Sequence, residues 1–317
     1  MPPIEVVRAA PFKGGAVSTR RHRGAYTVTA VLGLVLAGAT LPTERVFAES
    51  SFALPPTVLG QTGTLTISSP DLLDPWKVRA AVGAAIATGS TGNRFDGLLV
   101  DAGAEATSRL VRGALALGLP YHLEIAVTVP YLRLDVNDVS TDGPGDVTVS
   151  GKLRLRDQKE WAPAAAASVS WITETSRQSA LTSVTTNGYL GTLSVQLAVI
   201  VPPDWQWTVV AEAGGFWRDP GRPESDSSLV YGLAGYVPIG VTGFYISTGE
   251  LQWLVEYSGT GFRNDLTGQS NDAMSWASGL RYLREHMGIS VAGVYTAYRA
   301  PGTDSSLGAT VTWYVAF

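Results

Sequence analysis

Residues 307–317, at the end of the 317-residue chain, read LGATVTWYVAF. Every second side chain of this stretch is apolar: Leu307, Ala309, Val311, Trp313, Val315 and Phe317. Because successive side chains of a β-strand point to opposite faces, the pattern predicts a strand with one apolar face and one more polar face. About ten residues of tilted strand cross a bilayer. The stretch therefore fits a transmembrane strand, with the edge strand of a soluble sheet as the alternative.

The chain ends on an aromatic residue of the apolar face, Phe317. A phenylalanine at the end of an alternating strand resembles the C-terminal assembly signal of bacterial outer-membrane β-barrels. The resemblance implies that the barrel-assembly machinery binds the last strand and that Phe317 is its assembly signal.

The composition is apolar but contains no long apolar segment after residue 48. Hydrophobic residues make up 45% of the chain and charged residues only 16%, against about 25% charged residues in a typical soluble protein. No stretch of about 18 uninterrupted apolar residues, as a transmembrane helix requires, follows residue 48. Apolar residues spread over alternating strands are typical of a membrane β-barrel. The chain has no cysteine, which excludes disulfides and Cys-ligated zinc.

Residues 1–48 differ from the rest of the chain. Arg20, Arg21 and Arg23 precede an apolar run over residues 25–41, and Val46-Phe47-Ala48 has the small-residue ending of a signal-peptidase site. We therefore expect a secretory signal peptide over residues 1–48, with a membrane anchor as the alternative. Residues 49–317 carry 17 basic and 25 acidic residues, a formal charge of −8. This acidic balance predicts no nucleic-acid partner.

Residues 49–75 are rich in proline and serine without a sustained period, which predicts a periplasmic tail or a short plug segment. Twelve alternating segments follow: 76–87, 108–117, 122–132, 146–156, 164–173, 189–201, 205–217, 228–237, 244–257, 274–283, 289–298 and 307–317. They predict an all-β, twelve-stranded antiparallel transmembrane β-barrel over residues 76–317. An even strand count places both termini on one side, which we expect to be the periplasm.

The connections between these segments alternate between tight turns and long polar loops. Short turns on one side and long loops on the other are the arrangement of outer-membrane barrels. A secreted soluble β-sandwich or β-helix is the alternative, and it would need polar residues on the outer face of most strands. Instead, one face of the fourth segment carries Val147, Val149, Leu153 and Leu155.

The opposite strand faces carry charges, which we expect to point into the barrel, since a charge facing lipid at mid-depth costs about 2–4 kcal/mol. The predicted lumen-lining residues are Lys77, Arg79, Arg112, Glu124, Asp146, Lys152, Arg154, Arg156, Glu212, Glu250, Glu256 and Arg281. A lumen with both signs of charge fits a salt-bridged, plugged interior as well as a selective channel. In an open lumen, the basic residues Lys152, Arg154 and Arg156 would favour anionic solutes. Several tryptophans near strand ends, among them Trp161, suit aromatic girdles at the two membrane interfaces.

Neither catalytic residues nor a cofactor are predicted. The two histidines after residue 48, His122 and His286, lie at tight turns without an evident serine partner, although a lipid-acting enzyme of the outer membrane is the rival class. The acidic loop with Asp135, Asn137, Asp138 and Asp142 does not follow the twelve-residue spacing of a calcium loop, so no metal site is predicted.

Two motifs carry a resemblance to a known family. Gly143-Pro144-Gly145-Asp146 followed by VTVSGKLRLR, and the preceding hairpin LGLPYHLEIAVTVPYL, resemble segments of the transporter-like outer-membrane β-barrel family associated with the meta-pathway of phenol degradation. The resemblance implies a bacterial outer-membrane channel for passive passage of a small solute, aromatic or anionic, with membrane lipid as its surroundings. A closed-lumen structural or lipid-acting enzymatic barrel is the alternative.

Overall fold

The computed structural model describes residues 56–57, 60–91, 104–136, 139–159, 162–173, 175, 188–201, 205–218, 227–239, 249–263, 270–298 and 305–317. The signal peptide expected over residues 1–48, and Trp161 among the predicted girdle residues, lie outside these ranges. Among the described residues, no helix is long and apolar enough to cross a membrane.

Thirteen strands make up the regular structure of the described residues. Their bounds are β1 Val78–Thr91, β2 Ala104–Leu119, β3 Leu123–Val136, β4 Val139–Pro144, β5 Thr148–Arg156, β6 Ala164–Ile172, β7 Gly188–Val201, β8 Trp205–Arg218, β9 Ser227–Pro238, β10 Gly249–Arg263, β11 Ser270–Arg284, β12 Met287–Tyr298 and β13 Ser305–Ala316.

Twelve of these strands close an antiparallel barrel, which confirms the predicted fold. Strand β1 pairs with β2 on one side and with the C-terminal strand β13 on the other, where the register runs from Arg79↔Ala316 to Gly89↔Ser306. The remaining strands pair in chain order, and β3 closes the wall between β2 and β5. The predicted segments therefore correspond to every strand of the closed wall.

Strand β4 was not predicted, because the sequence pattern does not distinguish it from the neighbouring strands. It pairs only with the far end of β3, where Tyr131 lies opposite Pro144, whereas β5 pairs with the near end, where Thr128 lies opposite Thr148. Residues 145–147 thus oppose residues 129–130, and Gly145 N donates a hydrogen bond to Pro130 O at 2.9 Å. This is the extra-residue geometry of a β-bulge, a position at which a strand tolerates proline.

Strand β10 ends later than its predicted segment, 244–257. It continues through residue 263, and the predicted residues 244–248 lie outside the described part of the chain. Backbone pairing continues where Ser258, Thr260 and Gly261 end the apolar alternation. The strand extends past the apolar band because its backbone hydrogen bonds to β9 and β11 form whether or not its outward side chains are apolar.

The outer wall is apolar, as the alternation predicts. On β13, Leu307, Val311 and Trp313 are exposed, whereas Thr312 and Tyr314 are buried. Trp207 and Trp217 of β8 are also exposed and lie ten residues apart. Ten residues span roughly 33 Å of strand, or roughly 25 Å along the membrane normal at a tilt of about 40°, which is the height of the apolar band of an outer-membrane barrel.

A row of aromatic rings crosses the outer face of β9 to β12. Tyr231, Tyr257, Trp276 and Tyr295 lie side by side with ring centroids 5.3–6.1 Å apart. Their position toward the end of the barrel that carries the long connections matches an aromatic girdle at one membrane interface.

Candidate functional site in the barrel lumen

Residues 60–73, which we call the lumen segment, lie inside the barrel and contact strands on opposite walls. Thr62, Ile67 and Ser68 are at most 3% exposed. The segment contains a small hairpin, in which Ser69 N donates to Thr62 O at 3.1 Å and Thr64 N donates to Ile67 O at 2.9 Å. The hairpin satisfies part of its own backbone, and the barrel wall supplies the remaining partners.

The carboxylate of Glu256, on β10, binds the tip of this hairpin. It accepts hydrogen bonds from Leu65 N at 3.0 Å, from Thr66 N at 3.0 and 3.2 Å, from Thr64 Oγ1 at 2.6 Å and from Thr66 Oγ1. Glu256 is 2% exposed. A carboxylate with this many donors holds the tip with charge-assisted hydrogen bonds, about twice as strong as neutral ones.

Glu124, on the opposite wall in β3, binds both ends of the lumen segment. It accepts hydrogen bonds from Thr62 N at 2.7 Å, from Thr62 Oγ1 at 2.6 Å and from Leu73 N at 3.0 Å. Arg79 and Lys152 lie 3.8 and 3.7 Å from the same carboxylate. Because a buried charge is costly unless it is paired and hydrogen-bonded, this arrangement stabilises the negative charge inside the barrel.

The basic side chains around Glu124 bind the backbone of the segment. Lys152 Nζ donates to the carbonyls of Thr62, Ser69 and Asp71 at 2.8, 3.0 and 2.6 Å, which uses all three of its donors. Arg79 donates to Gly60 O at 2.7 Å and to Thr62 Oγ1 at 2.8 Å.

Two further wall residues complete the polar contacts of the segment. Arg154 Nε donates to Pro70 O at 3.0 Å. Glu212 accepts a hydrogen bond from Ser68 N at 2.9 Å. The segment is therefore bound along its length from β1, β3, β5, β8 and β10.

Three apolar side chains of the segment pack on small wall residues. Leu65 packs with Leu254, Ala277 and Ala292; Ile67 packs with Val210 and Ala234; Leu73 packs with Ala116 and Ala126. Gly232 also leaves room here, because a Cβ at that position would lie 2.6 Å from Ile67 Cδ1 and 2.7 Å from Ile67 Cγ1. The wall is thus shaped to leave room for the segment.

The structure places most of the predicted lumen-lining residues inside the barrel. Arg79, Arg112, Glu124, Lys152, Glu256 and Arg281 are buried, and Asp146, Arg154, Glu212 and Glu250 are half-buried. Lys77 and Arg156 differ from the expectation, because both are exposed at the barrel end that carries the tight turn of residues 120–122. Lys77 precedes β1, and Arg156 follows a register shift in β5 and donates to Pro163 O at 2.7 and 3.1 Å.

The joint action of Lys152, Arg154 and Arg156 on a solute in an open lumen stays a prediction, since the structure shows these side chains bonded to the protein itself. Lys152 and Arg154 donate to carbonyls of the lumen segment, and Arg156 donates to a turn at the rim. Their alternation on one strand face was visible in the sequence. Their hydrogen-bond partners were not, because those partners lie more than 80 residues away for Lys152 and Arg154.

Sequence reasoning missed the hydroxyl residues that hold the segment in place, Thr62, Thr64 and Thr66. They alternate with Gly63, Leu65 and Ile67 over a short stretch, a strand-like pattern within residues 49–75. That short period was the signal that could have identified the hairpin.

The acidic loop and the two histidines are the other candidate residues that the sequence raised. Among them, no group of three or more His, Asp or Glu residues could hold a metal ion, and Asn137 and Asp138 of the acidic loop lie outside them. His122 and His286 are both exposed at tight turns, and His286 lies 3.6 Å from Glu285.

Solved structures of three bacterial membrane proteins are similar to this chain. An outer-membrane channel from Pseudomonas putida F1 matches with a TM-score of 0.53 and 14% identity over 80% of this chain and 100% of that chain. The β domain of the Bordetella autotransporter BrkA matches with a TM-score of 0.47 and 11% identity, over 76% of this chain and 100% of that chain. The transport unit of the autotransporter AIDA-I from Escherichia coli matches with a TM-score of 0.43 and 10% identity, over 76% of this chain and 90% of that chain. No protein-family model and no curated protein matches the sequence. The chain is thus similar in fold to a bacterial outer-membrane channel.

Proposed function

We propose that this protein is an outer-membrane channel for passive passage of a small solute, and that the lumen segment occupies the pathway in the closed state. The observation that carries the proposal is that the barrel encloses residues 60–73 as a separate segment within its walls. The fold of the Pseudomonas putida channel supports the same class of function.

The small size of the wall residues that face inward supports a pathway for a solute through the barrel. In a small barrel without a pore, the inward side chains of the wall themselves fill the interior. Here the inward positions against the segment include Ala116, Ala126, Ala234, Ala277 and Ala292. With the segment displaced, these short side chains would leave an aqueous passage lined by carboxylates and guanidinium groups.

The finer features of the proposal follow from the sequence. We assign the solute to small aromatic or anionic compounds, on the resemblance of the β2–β5 region to the transporter-like family. The lipid of the outer membrane would surround the exposed apolar wall. Both termini would lie in the periplasm, since the first and last strands pair side by side and their chain ends lie at the end of the barrel with the tight turns.

Current through the purified barrel in a planar bilayer tests this function. We expect a small, intermittent conductance, because the segment must leave its contacts before ions pass. Uptake of benzoate into liposomes that contain the barrel, measured against protein-free liposomes, tests passage of the solute class. Absence of both current and uptake would contradict the proposal.

A closed-lumen structural barrel is the second candidate, and the hydrogen bonding of the lumen favours it. Glu124, Lys152 and Glu256 are at most 2% exposed and are all bonded to the segment. Such a network stiffens a barrel without any transport. A barrel that conducts neither as the wild type nor after the segment's contacts are weakened would establish this candidate.

We expect Phe317→Ser to reduce the amount of folded protein in the outer membrane several-fold, because the terminal aromatic resembles the signal read by the assembly machinery. Leu307→Ser is the matched control, since Leu307 lies on the same face of β13 and both residues are 65% exposed. Heat-modifiable mobility of outer-membrane fractions measures the folded amount. Equal losses for the two variants would assign the effect to lost apolar surface instead of a signal.

A further inference from the structure

A second group of polar lumen residues lies apart from the contacts of the lumen segment, in one row across neighbouring strands. The cross-strand pairs are Gln252↔Arg281, Arg281↔Ser290, Ser290↔Thr312, Thr312↔Gly83 and Gly83↔Arg112. Every member of the row is buried and faces inward. Directly paired residues follow one another across the strands, so the two arginines stand in the same row, with the hydroxyl groups of Ser290 and Thr312 between them.

Arg281 is a buried cation with incomplete partners. It is 2% exposed, its Nε donates to Ser290 Oγ at 3.4 Å, and its guanidinium carbon lies 5.7 Å from the ring centre of Tyr236. Its Nη2 is buried and has no hydrogen-bond partner. Among the described residues, no carboxylate oxygen lies within 4.0 Å of its guanidinium.

Arg112 approaches the same hydroxyl pair from the other side. A Cβ at Gly83 would lie 2.8 Å from Arg112 Nε and 3.3 Å from Thr312 Oγ1. The absence of a side chain at Gly83 therefore lets Arg112 lie across β1 toward Thr312. Arg112 is 9% exposed, and within the described chain it takes part in no ion pair.

The lumen carboxylates accept hydrogen bonds from other groups, and Glu256 attracts Arg281 only from beyond 4.0 Å. Glu124 and Glu256 accept hydrogen bonds from the lumen segment, and Glu250 accepts one from Gln252 Nε2 at 2.8 Å. A buried guanidinium without a carboxylate is unfavourable, because its desolvation is not offset by a paired charge. Gln252 Oε1, on the strand next to Arg281, is also buried without a partner. The row thus combines excess positive charge with unused hydrogen-bonding groups.

We propose that Arg281, Ser290, Thr312 and Arg112, which we call the anion arc, form a subsite in the lumen for the oxyanion group of a solute. A carboxylate or phosphate would accept hydrogen bonds from the two guanidinium groups and from the Ser290 and Thr312 hydroxyls. Guanidinium binds both groups through paired N–H donors. The subsite rests on the proposed channel function, to which it adds the solute chemistry and the residues that select it.

Equilibrium binding to the folded protein in a zwitterionic detergent tests the anion arc, with benzoate and inorganic phosphate as probes in isothermal titration calorimetry. We expect saturable binding by the wild type. Arg281→Gln and Arg112→Gln should each weaken binding about tenfold, and the double variant about 100-fold. Arg281→Lys should lie between wild type and Arg281→Gln, because lysine retains the charge but loses the paired donors.

Two further variants separate the anion arc from general effects on the lumen. Arg284→Gln is the control, since Arg284 is a basic residue of the same strand as Arg281 but is exposed at the end of β11; it should leave the affinity unchanged. Gly83→Ala should weaken binding without removing a charge, because its Cβ would push Arg112 aside. Heat-modifiable mobility would show that each variant is folded.

The outcomes are distinct. Binding of benzoate that is lost in the double variant assigns the subsite to organic acids, and binding of phosphate alone assigns it to inorganic anions. Unchanged affinity in the double variant, equal loss in Arg284→Gln, or no saturable binding of either probe by the wild type would overturn the proposal. Because the measurement needs no current, a barrel that binds benzoate through these arginines but never conducts would contradict the channel function and leave the subsite standing.

Discussion

Glu256→Gln is expected to increase the open probability of the channel in planar bilayers by roughly two orders of magnitude. The Glu256 carboxylate accepts five hydrogen bonds from the hairpin tip of the lumen segment. The amide of glutamine has only one acceptor oxygen. Its NH₂ group takes the place of the second oxygen and repels the groups that donated hydrogen bonds to it. A loss of about 3 kcal/mol in docking free energy shifts the ratio of released to docked segment by roughly 100-fold.

Glu250→Gln is the matched control for this change. Glu250 lies on the same face of β10, six residues from Glu256, and its side chain bonds to Gln252 instead of the segment. It should conduct like the wild type. Identical current traces for Glu256→Gln and the wild type would show that this contact does not hold the pathway closed.

A chemical label gives an independent measure of the equilibrium between the docked and the released lumen segment. The chain has no cysteine, so Leu65→Cys introduces a single thiol at a position that is 5% exposed. Reaction of this thiol with a maleimide should be slow in the wild-type background and faster with Glu256→Gln. Equal rates in the two backgrounds would mean that the hairpin tip stays docked, even if the conductance changed.

Val127→Arg is expected to destabilise the folded barrel by about 2–4 kcal/mol, the cost of an arginine facing lipid at mid-depth. Val127 is 41% exposed on the outer wall, and its cross-strand partners Leu115 and Val149 are exposed beside it. It lies four residues from the start of β3, or roughly 13 Å along the strand, near the middle of the apolar band. Urea unfolding in lipid vesicles would measure the change.

Leu155→Arg tests whether the destabilisation depends on the depth of the arginine in the membrane or only on its position on the outer face. Leu155 is 55% exposed on the same outer face, but it lies at the end of β5 next to the turn at residues 157–163. Near the interface, the cost of an arginine falls to about 0–1 kcal/mol. Equal destabilisation by Val127→Arg and Leu155→Arg would contradict a lipid-facing wall and favour a surface packed against protein.

The strands and their facing were predictable from the sequence because each lipid-facing strand repeats the same period of two. Val311 and Trp313 lie outside and Thr312 inside, as the alternation of residues 307–317 predicted. The predictions were wrong for strand β4 and for Arg156, where the backbone pairing does not follow the period of two. Pro130 and the bulge at residues 145–147 separate β4 from β5, and a register shift after Arg154 leaves Arg156 at the rim.

Sequence alone determined the fold class, the number of strands in the closed wall and the direction of most charged side chains, because a bilayer imposes one apolar face on every strand. Only the tertiary structure decided which lumen charges meet. Thr64 and Glu256 are 192 residues apart in the chain, and Thr62 and Glu124 are 62 apart. Such contacts form across the barrel interior, where polar residues follow no common period that could be read along the chain. For the same reason, only the closed wall brings Arg281 of β11 and Arg112 of β2 into one row, on either side of two hydroxyl groups.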